Sequence, residues 1–148
     1  HNRRGFVSLA EQQLKLAGRG VQGIALLLAD LDDLKVINDS LGHLAGDEVL
    51  VDFAQVLRDT FRESDVICRI GGDEFAVLAC GTTEDTAVAL RARLQETMDA
   101  YNAKSKRPYR MSASIGIANY CSDQDVSLDS LLARADIAMY EQKRAKQA

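Results

Sequence analysis

Residues 65–80 read DVICRIGGDEFAVLAC, two apolar runs joined by Gly71-Gly72. Runs of this length and composition on either side of a glycine pair form a β-hairpin, because glycines supply the positive φ that tight turns need. The acids Asp73 and Glu74 then stand at the hairpin tip. Upstream, IALLLADL at 24–31 is a continuous apolar run ending in acid, the mark of a buried strand with Asp30 near its C-terminal end. Between strand and hairpin, Leu50, Phe53, Leu57 and Phe61 recur at spacings of three and four, which predicts an amphipathic helix over roughly 44–62. Beyond the hairpin, Thr82-x-x-Asp85 resembles a capping box opening a second helix with Ala87, Leu90, Leu94, Met98 and Tyr101 on its buried stripe. A strand at about 109–120 follows, and a last helix from about Ser127 carries Leu128, Leu131, Leu132, Ala135 and Met139. A weaker helix covers roughly residues 2–18. This order predicts an α/β fold of the α+β sandwich kind, with a mixed, largely antiparallel central sheet flanked by helices.

The chain has 148 residues, 47% of them hydrophobic, enough for one domain with a real core. Its start at HNRRGF, without an initiating methionine, reads as a single domain, 1–148, taken from a longer protein. The 18 basic residues are scattered and the net charge is -4, so the basic footprint of a nucleic-acid binder is missing. Cys68, Cys80 and Cys121 are odd in number and form no C-x-x-C pair, which argues against a disulfide framework or a zinc site and fits a cytoplasmic setting. No apolar run approaches the ~20 residues needed to span a bilayer, so no membrane contact is expected of this domain.

The acids gather in DLDDLKVIND at 30–39 and GGDE at 71–74. Adjacent strands would bring these places together into the hard-oxygen pocket that Mg²⁺ prefers when it also holds nucleotide phosphates, with Asp30 and Asp73 as ligands. Any one of these acids alone reads as a solvated turn residue, but the cluster does not. A calcium loop starting at Asp30 and Asp32 fails at Leu34, where an oxygen ligand is needed, and at Lys35, where the turn needs glycine. Gly71 and Gly72 allow close approach of a phosphate, and the N–H groups of Asp33, Leu34 and Lys35 would open a short helix whose positive end attracts anions.

Five stretches are similar to the signatures of the GGDEF domain of diguanylate cyclases. They are N-R-R-G-F at 2–6, D-x-D-x-x-K-x-I-N-D-x-x-G-H-x-x-G-D at 30–47, R-x-G-G-D-E-F at 69–75, S-I-G at 114–116 and A-D-x-A-M-Y-x-x-K at 135–143. They span nearly the whole chain in the family's order. The resemblance implies a palm-like fold, shared with nucleotide cyclases and polymerases, and Mg²⁺-dependent condensation of two GTP into cyclic di-GMP with release of pyrophosphate. Each ribose 3′-hydroxyl would attack the partner's α-phosphate, so a homodimer is required. Two ions per site, Mg²⁺ or alternatively Mn²⁺, would bind Asp30, Asp73 and the Leu31 carbonyl. Glu74 would serve at the metal and help deprotonate the hydroxyl. Asn38 and Asp47 fall at the guanine-binding positions, where a carboxylate accepts from the N1–H and N2–H₂ edge, and Lys35 and Lys143 would meet the β and γ phosphates.

Arg62-x-x-Asp65 has the spacing of the family's inhibitory cyclic di-GMP site, against the simpler reading of a helix-end ion pair. Arg91 or Arg93 on the next helix would add a second contact. After Lys143 the family usually continues x-x-G-R-N. Here the chain reads RAKQA, so Gln147 stands where a phosphate-contacting arginine is expected, and Lys146 is the nearest replacement. Two other functions compete. A catalytically silent GTP or cyclic di-GMP binding module would have no need of an intact GGDEF run, and a mononucleotide cyclase none of Asn38, Asp47 or the Arg62/Asp65 pair.

Overall fold

The computed structural model describes residues 2–17, 23–82, 84–120 and 127–147. The side chains at 82 and 84–87, and with them the capping box and Ala87, lie outside the described residues, as does Cys121. The elements run α1 (Arg3–Ala17), β1 (Gly23–Leu31), α2 (Leu34–Leu41), α3 (His43–Thr60), β2 (Val66–Arg69), β3 (Glu74–Thr82), α4 (Glu84–Lys104), β4 (Ala113–Tyr120) and α5 (Leu128–Gln147). The sheet order is β2-β3-β1-β4. All three strand pairings are antiparallel, so the sheet expected to be mixed holds no parallel pair among the described residues. The parallel relations survive one strand apart: β1 and β2 flank β3, and β3 and β4 flank β1, which makes two interleaved split β-α-β units.

β1 is buried along its whole length because it is central and covered on both faces. Its period-2 alternation sends Ala25, Leu27, Ala29 and Leu31 to one core with Phe53, Leu57 and Leu94, and Ile24, Leu26 and Leu28 to another with Phe6, Leu131 and Met139. Asp30 continues the second set, so it faces α5. Phe53 on α3 meets Phe75 on β3 edge to face, with ring centroids 5.1 Å apart, and fixes the helix against the hairpin. Gly116 does the same for the other layer. A Cβ there would stand 2.0 Å from the Ala135 carbonyl oxygen, so only glycine lets α5 lie this close to β4.

The last strand is shorter than the expected 109–120. Asn102 takes both the N–H and the carbonyl of Met111, at 2.8 Å each, and the Asp32 N–H takes the Ser112 carbonyl. The Met111 groups are therefore lost to the ladder, which ends at the Asp32–Ser112 bond. The expected helix over 44–62 is α3, and a separate α2 precedes it, the two joined at Gly42, whose φ of 92° favours glycine. No helix among the described residues is long and apolar enough to cross a membrane.

Candidate active site

The β1–β3 register pairs Asp30 with Glu74, and the Leu31 N–H donates to the Asp73 carbonyl at 3.0 Å. The two acidic stretches meet as the sequence implied. The Asp73 carboxylate lies within hydrogen-bonding reach of Asp30. Asp30 is buried, with 7% of its surface exposed; its Oδ2 accepts from Lys143 Nζ at 3.1 Å and its Oδ1 has no partner. Burial, reinforced by Asp73 and only partly offset by Lys143, pushes the Asp30 carboxyl up to about 6. The same contact holds Lys143 above the usual lysine range.

Asp32, two residues on, is the opposite case. Its Oδ1 accepts from Ser114 Oγ, and its Oδ2 from Ser112 Oγ, both at 2.7 Å, with Lys146 Nζ on Oδ2 at 2.8 Å. Burial alone would raise its carboxyl, but these bonds outweigh burial and hold it below the usual range. Asp30 thus keeps a free oxygen beside a second carboxylate, whereas Asp32 has none to offer. An orphaned buried oxygen and two repelling carboxylates suit a hard divalent cation. Among the described residues no three His, Cys, Asp or Glu side chains converge into a metal cage. Glu74 does not join Asp30 and Asp73 as a third ready ligand; a Cβ at Gly71 would lie 3.6 Å from its Oε2.

The hairpin tip departs from expectation. Neither Gly71 nor Gly72 has positive φ, so the turn itself does not demand them. The tip is shaped by Arg69, whose guanidinium donates to the carbonyls of Gly71, at 3.1 Å, and Gly72, at 2.8 Å. A Cβ at Gly72 would meet nothing within 4 Å, so the glycine leaves open space for a group from outside the chain. Asp33, by contrast, is left-handed, with φ 62° and ψ 23°, and makes no side-chain cap bond to α2. This conformation costs a non-glycine residue about 1 kcal/mol. It leaves the first N–H groups of α2, at Leu34 and Lys35, without a cap from Asp33, and Lys35 exposed beside them.

Asn38 rests against Gly46, where a Cβ would lie 1.7 Å from its Oδ1. That contact puts the amide next to Asp47. A glycine inside a helical pattern was the available signal for it. Asp47 is exposed and lines a cavity of about 340 Å³ with Leu50, Val51, Arg69 and Phe75. It sits on the exposed side of α3.

Arg62 and Asp65 close a turn after α3. The Arg62 N–H donates to Asp65 Oδ2 at 2.9 Å, and the guanidinium lies 3.7 Å from Oδ1 and donates to the Cys80 carbonyl. Arg93 reaches the same place, donating to the Thr60 carbonyl at 2.6 Å. Arg58, Arg62, Glu63 and Asp65 line a cavity of about 500 Å³.

The Asp30 carboxyl makes stability depend on pH. Its folded pKa is raised from 3.8 to about 6. The native state therefore holds this proton more tightly than the unfolded chain, and the contribution present below about pH 4 is lost as pH climbs through 6, by about 3 kcal/mol at most. Melting of Asp30→Asn should gain on the wild type across that window, in metal-free buffer. A constant offset between the two proteins would show that Asp30 is not perturbed.

Comparison with known proteins identifies the family. The family model "Diguanylate cyclase, GGDEF domain" matches residues 1–148. The chain is 40% identical to the diguanylate cyclase TpbB of Pseudomonas aeruginosa over 151 residues, covering 97% of this chain and 33% of that protein. It is 37% identical to the cyclic di-GMP phosphodiesterase NbdA of the same organism over 142 residues, covering 96% of this chain and 18% of NbdA. The chain thus spans a third or less of either relative. Among solved structures, the GGDEF domain of PA1120 from P. aeruginosa superposes with a TM-score of 0.88 at 38% identity, covering 100% of this chain and 91% of that one. The GGDEF domain of DgcB from Caulobacter crescentus, solved in complex with c-di-GMP, gives a TM-score of 0.85 at 27% identity over 97% of this chain and 85% of that one. With the family model matching the whole chain and the fold superposing on solved GGDEF domains, the chain belongs to the GGDEF-domain family of diguanylate cyclases.

Proposed function

We propose that this chain is the catalytic unit of a diguanylate cyclase, condensing two GTP into cyclic di-GMP and releasing pyrophosphate. One observation carries the reading: the free Oδ1 of Asp30 beside the Asp73 carboxylate, at the sheet end where Gly72 leaves open space. Asp30, Asp73 and the Leu31 carbonyl would hold Mg²⁺, with Glu74 serving beside them. When bound, such an ion would neutralise triphosphate charge and lower the pKa of the attacking hydroxyl. The chain's own groups do the rest. The α2 N-terminus and Lys35 bind the phosphates, Gly71 and Gly72 admit them to the backbone, and Lys143 leaves Asp30 to pair with them. Glu74 accepts the 3′-hydroxyl proton as the oxygen attacks the partner's α-phosphate. Asn38 and Asp47 accept the guanine edge in the cavity beside Arg69.

GTP should therefore bind in preference to ATP. Covering Asp47 with adenine would bury the carboxylate without its donors, at about 1–3 kcal/mol per unpaired group. Calorimetry in Mg²⁺ reads this directly, and equal affinities would remove Asn38 and Asp47 from the guanine role.

The cavity lined by Arg62 and Asp65, with Arg93 on the nearby Thr60 carbonyl, is the site for inhibitory cyclic di-GMP. Asp65 Oδ1 is buried without a hydrogen-bond partner, and a guanine N–H edge supplies donors for it. Arg62→Ala should weaken cyclic di-GMP binding roughly tenfold or more, the loss of a charge-assisted bond. Unchanged affinity would leave Arg62 and Asp65 as a turn-closing ion pair.

A silent GTP or cyclic di-GMP binding module has one observation in its favour, the exposed Gln147 where the family's arginine is expected. Product formation separates the two readings.

A further inference from the structure

Two ion pairs run side by side between the end of α5 and the end of β1. Lys143 Nζ lies 3.1 Å from Asp30 Oδ2, and Lys146 Nζ lies 2.8 Å from Asp32 Oδ2. The lysines are three apart on one helix face and the acids two apart at the end of β1, so the pairs form rungs of one ladder. The rungs are unlike. Lys146 has three N–H donors and meets three sets of acceptors: Asp32 Oδ2, Ser112 Oγ at 3.3 Å and the Ala113 carbonyl at 2.6 Å. It is saturated, and a phosphate could recruit it only by breaking these bonds. Lys143 is held by Asp30 alone among the described residues.

The end of α5 depends on such contacts. Its buried residues are Leu128, Leu131, Ala135 and Met139, so no buried apolar side chain anchors the last two turns. Gln142 binds the Ile115 N–H one position before Lys143, and Lys146 binds one turn after it. Lys143 hangs between these two points.

We propose that Lys146 is a positioning residue whose clamp on Asp32 holds the end of α5 so that the Lys143 ammonium sits on Asp30 as a resident counter-ion, displaced by an incoming divalent cation while the helix stays in place. This rests on Asp30 holding the cation, as argued under Proposed function. Lys146 is thus no substitute for the missing arginine. It keeps Lys143 poised where the ammonium, once released, remains beside the phosphates.

The test is calorimetric titration of the nucleotide-free chain with Mn²⁺, with fold checked by thermal melting. Lys143→Met removes the competitor and should tighten Mn²⁺ binding. Lys146→Met frees the end of α5 and should tighten it by roughly two- to fivefold, the worth of a partly exposed ion pair. Lys146→Arg, which still reaches Asp32, should stay near the wild type. If Lys146→Met does not fold, Lys146→Gln carries the same expectation.

Asp32→Asn decides the matter, because a clamp and a simple charge predict opposite signs. Loss of a negative charge near the site weakens cation binding through space, whereas loss of the clamp tightens it. Tightening in Asp32→Asn, with no further gain on adding Lys146→Met, supports the clamp. Weaker binding in Asp32→Asn overturns it, as does a Lys146→Met protein with unchanged Mn²⁺ affinity and reduced GTP affinity, which would make Lys146 a direct phosphate ligand. A wild-type chain that binds no Mn²⁺ overturns the cation reading of Asp30 itself, and this proposal with it.

Discussion

Asp73→Asn is expected to abolish cyclic di-GMP synthesis while leaving the fold intact. The substitution keeps shape and removes charge. The Asp73 backbone, held by the Leu31 N–H, is untouched, and loss of the carboxylate relieves Asp30 of a repelling neighbour. Melting temperature should therefore hold or rise. Activity should fall by more than the ~10–100-fold typical of losing a group behind a metal ligand, because Asp73 is placed as a ligand itself. Full activity in Mg²⁺ would remove Asp73 from the site, and a collapsed fold would show that it acts through the hairpin instead.

The second large effect concerns assembly. Each chain offers one Asn38/Asp47 pair and one Asp30/Asp73 pair, whereas the product joins two nucleotides. A two-fold axis would set each 3′-hydroxyl against the partner's α-phosphate, so the working site exists only between two copies. Specific activity should then rise with enzyme concentration, roughly in proportion while the chain is mostly monomeric. Fusion to a dimeric coiled coil should raise it further by fixing a high effective concentration. Initial rate per mole across a dilution series, with oligomeric state read by light scattering, measures this. Constant specific activity in a demonstrated monomer would exclude the shared site.

The parts of this site that could be read from sequence are those carried by short-range periodicity. The continuous apolar run at 24–31 put Asp30 at the end of a buried strand, and the hairpin at 65–80 put Asp73 at a tip. One antiparallel register then brought them together. Contacts between distant segments were not legible. Nothing in the spacing of Ser112, Ser114 and Lys146 announces that all three converge on Asp32, since 80 or more residues separate that acid from each of them. The role of the hairpin glycines was misjudged for a related reason. A Gly-Gly pair signals either positive φ or open space, and only the backbone angles and the Arg69 bonds to the loop carbonyls distinguish the two.

The most direct measurement is to incubate the chain at high concentration with GTP and Mg²⁺ and identify the nucleotide product by mass. The account predicts cyclic di-GMP, with two pyrophosphates released for every two GTP consumed and no product from Asp73→Asn. GTP that binds yet remains unconverted across the concentration series, or a cyclic mononucleotide as the product, would contradict it.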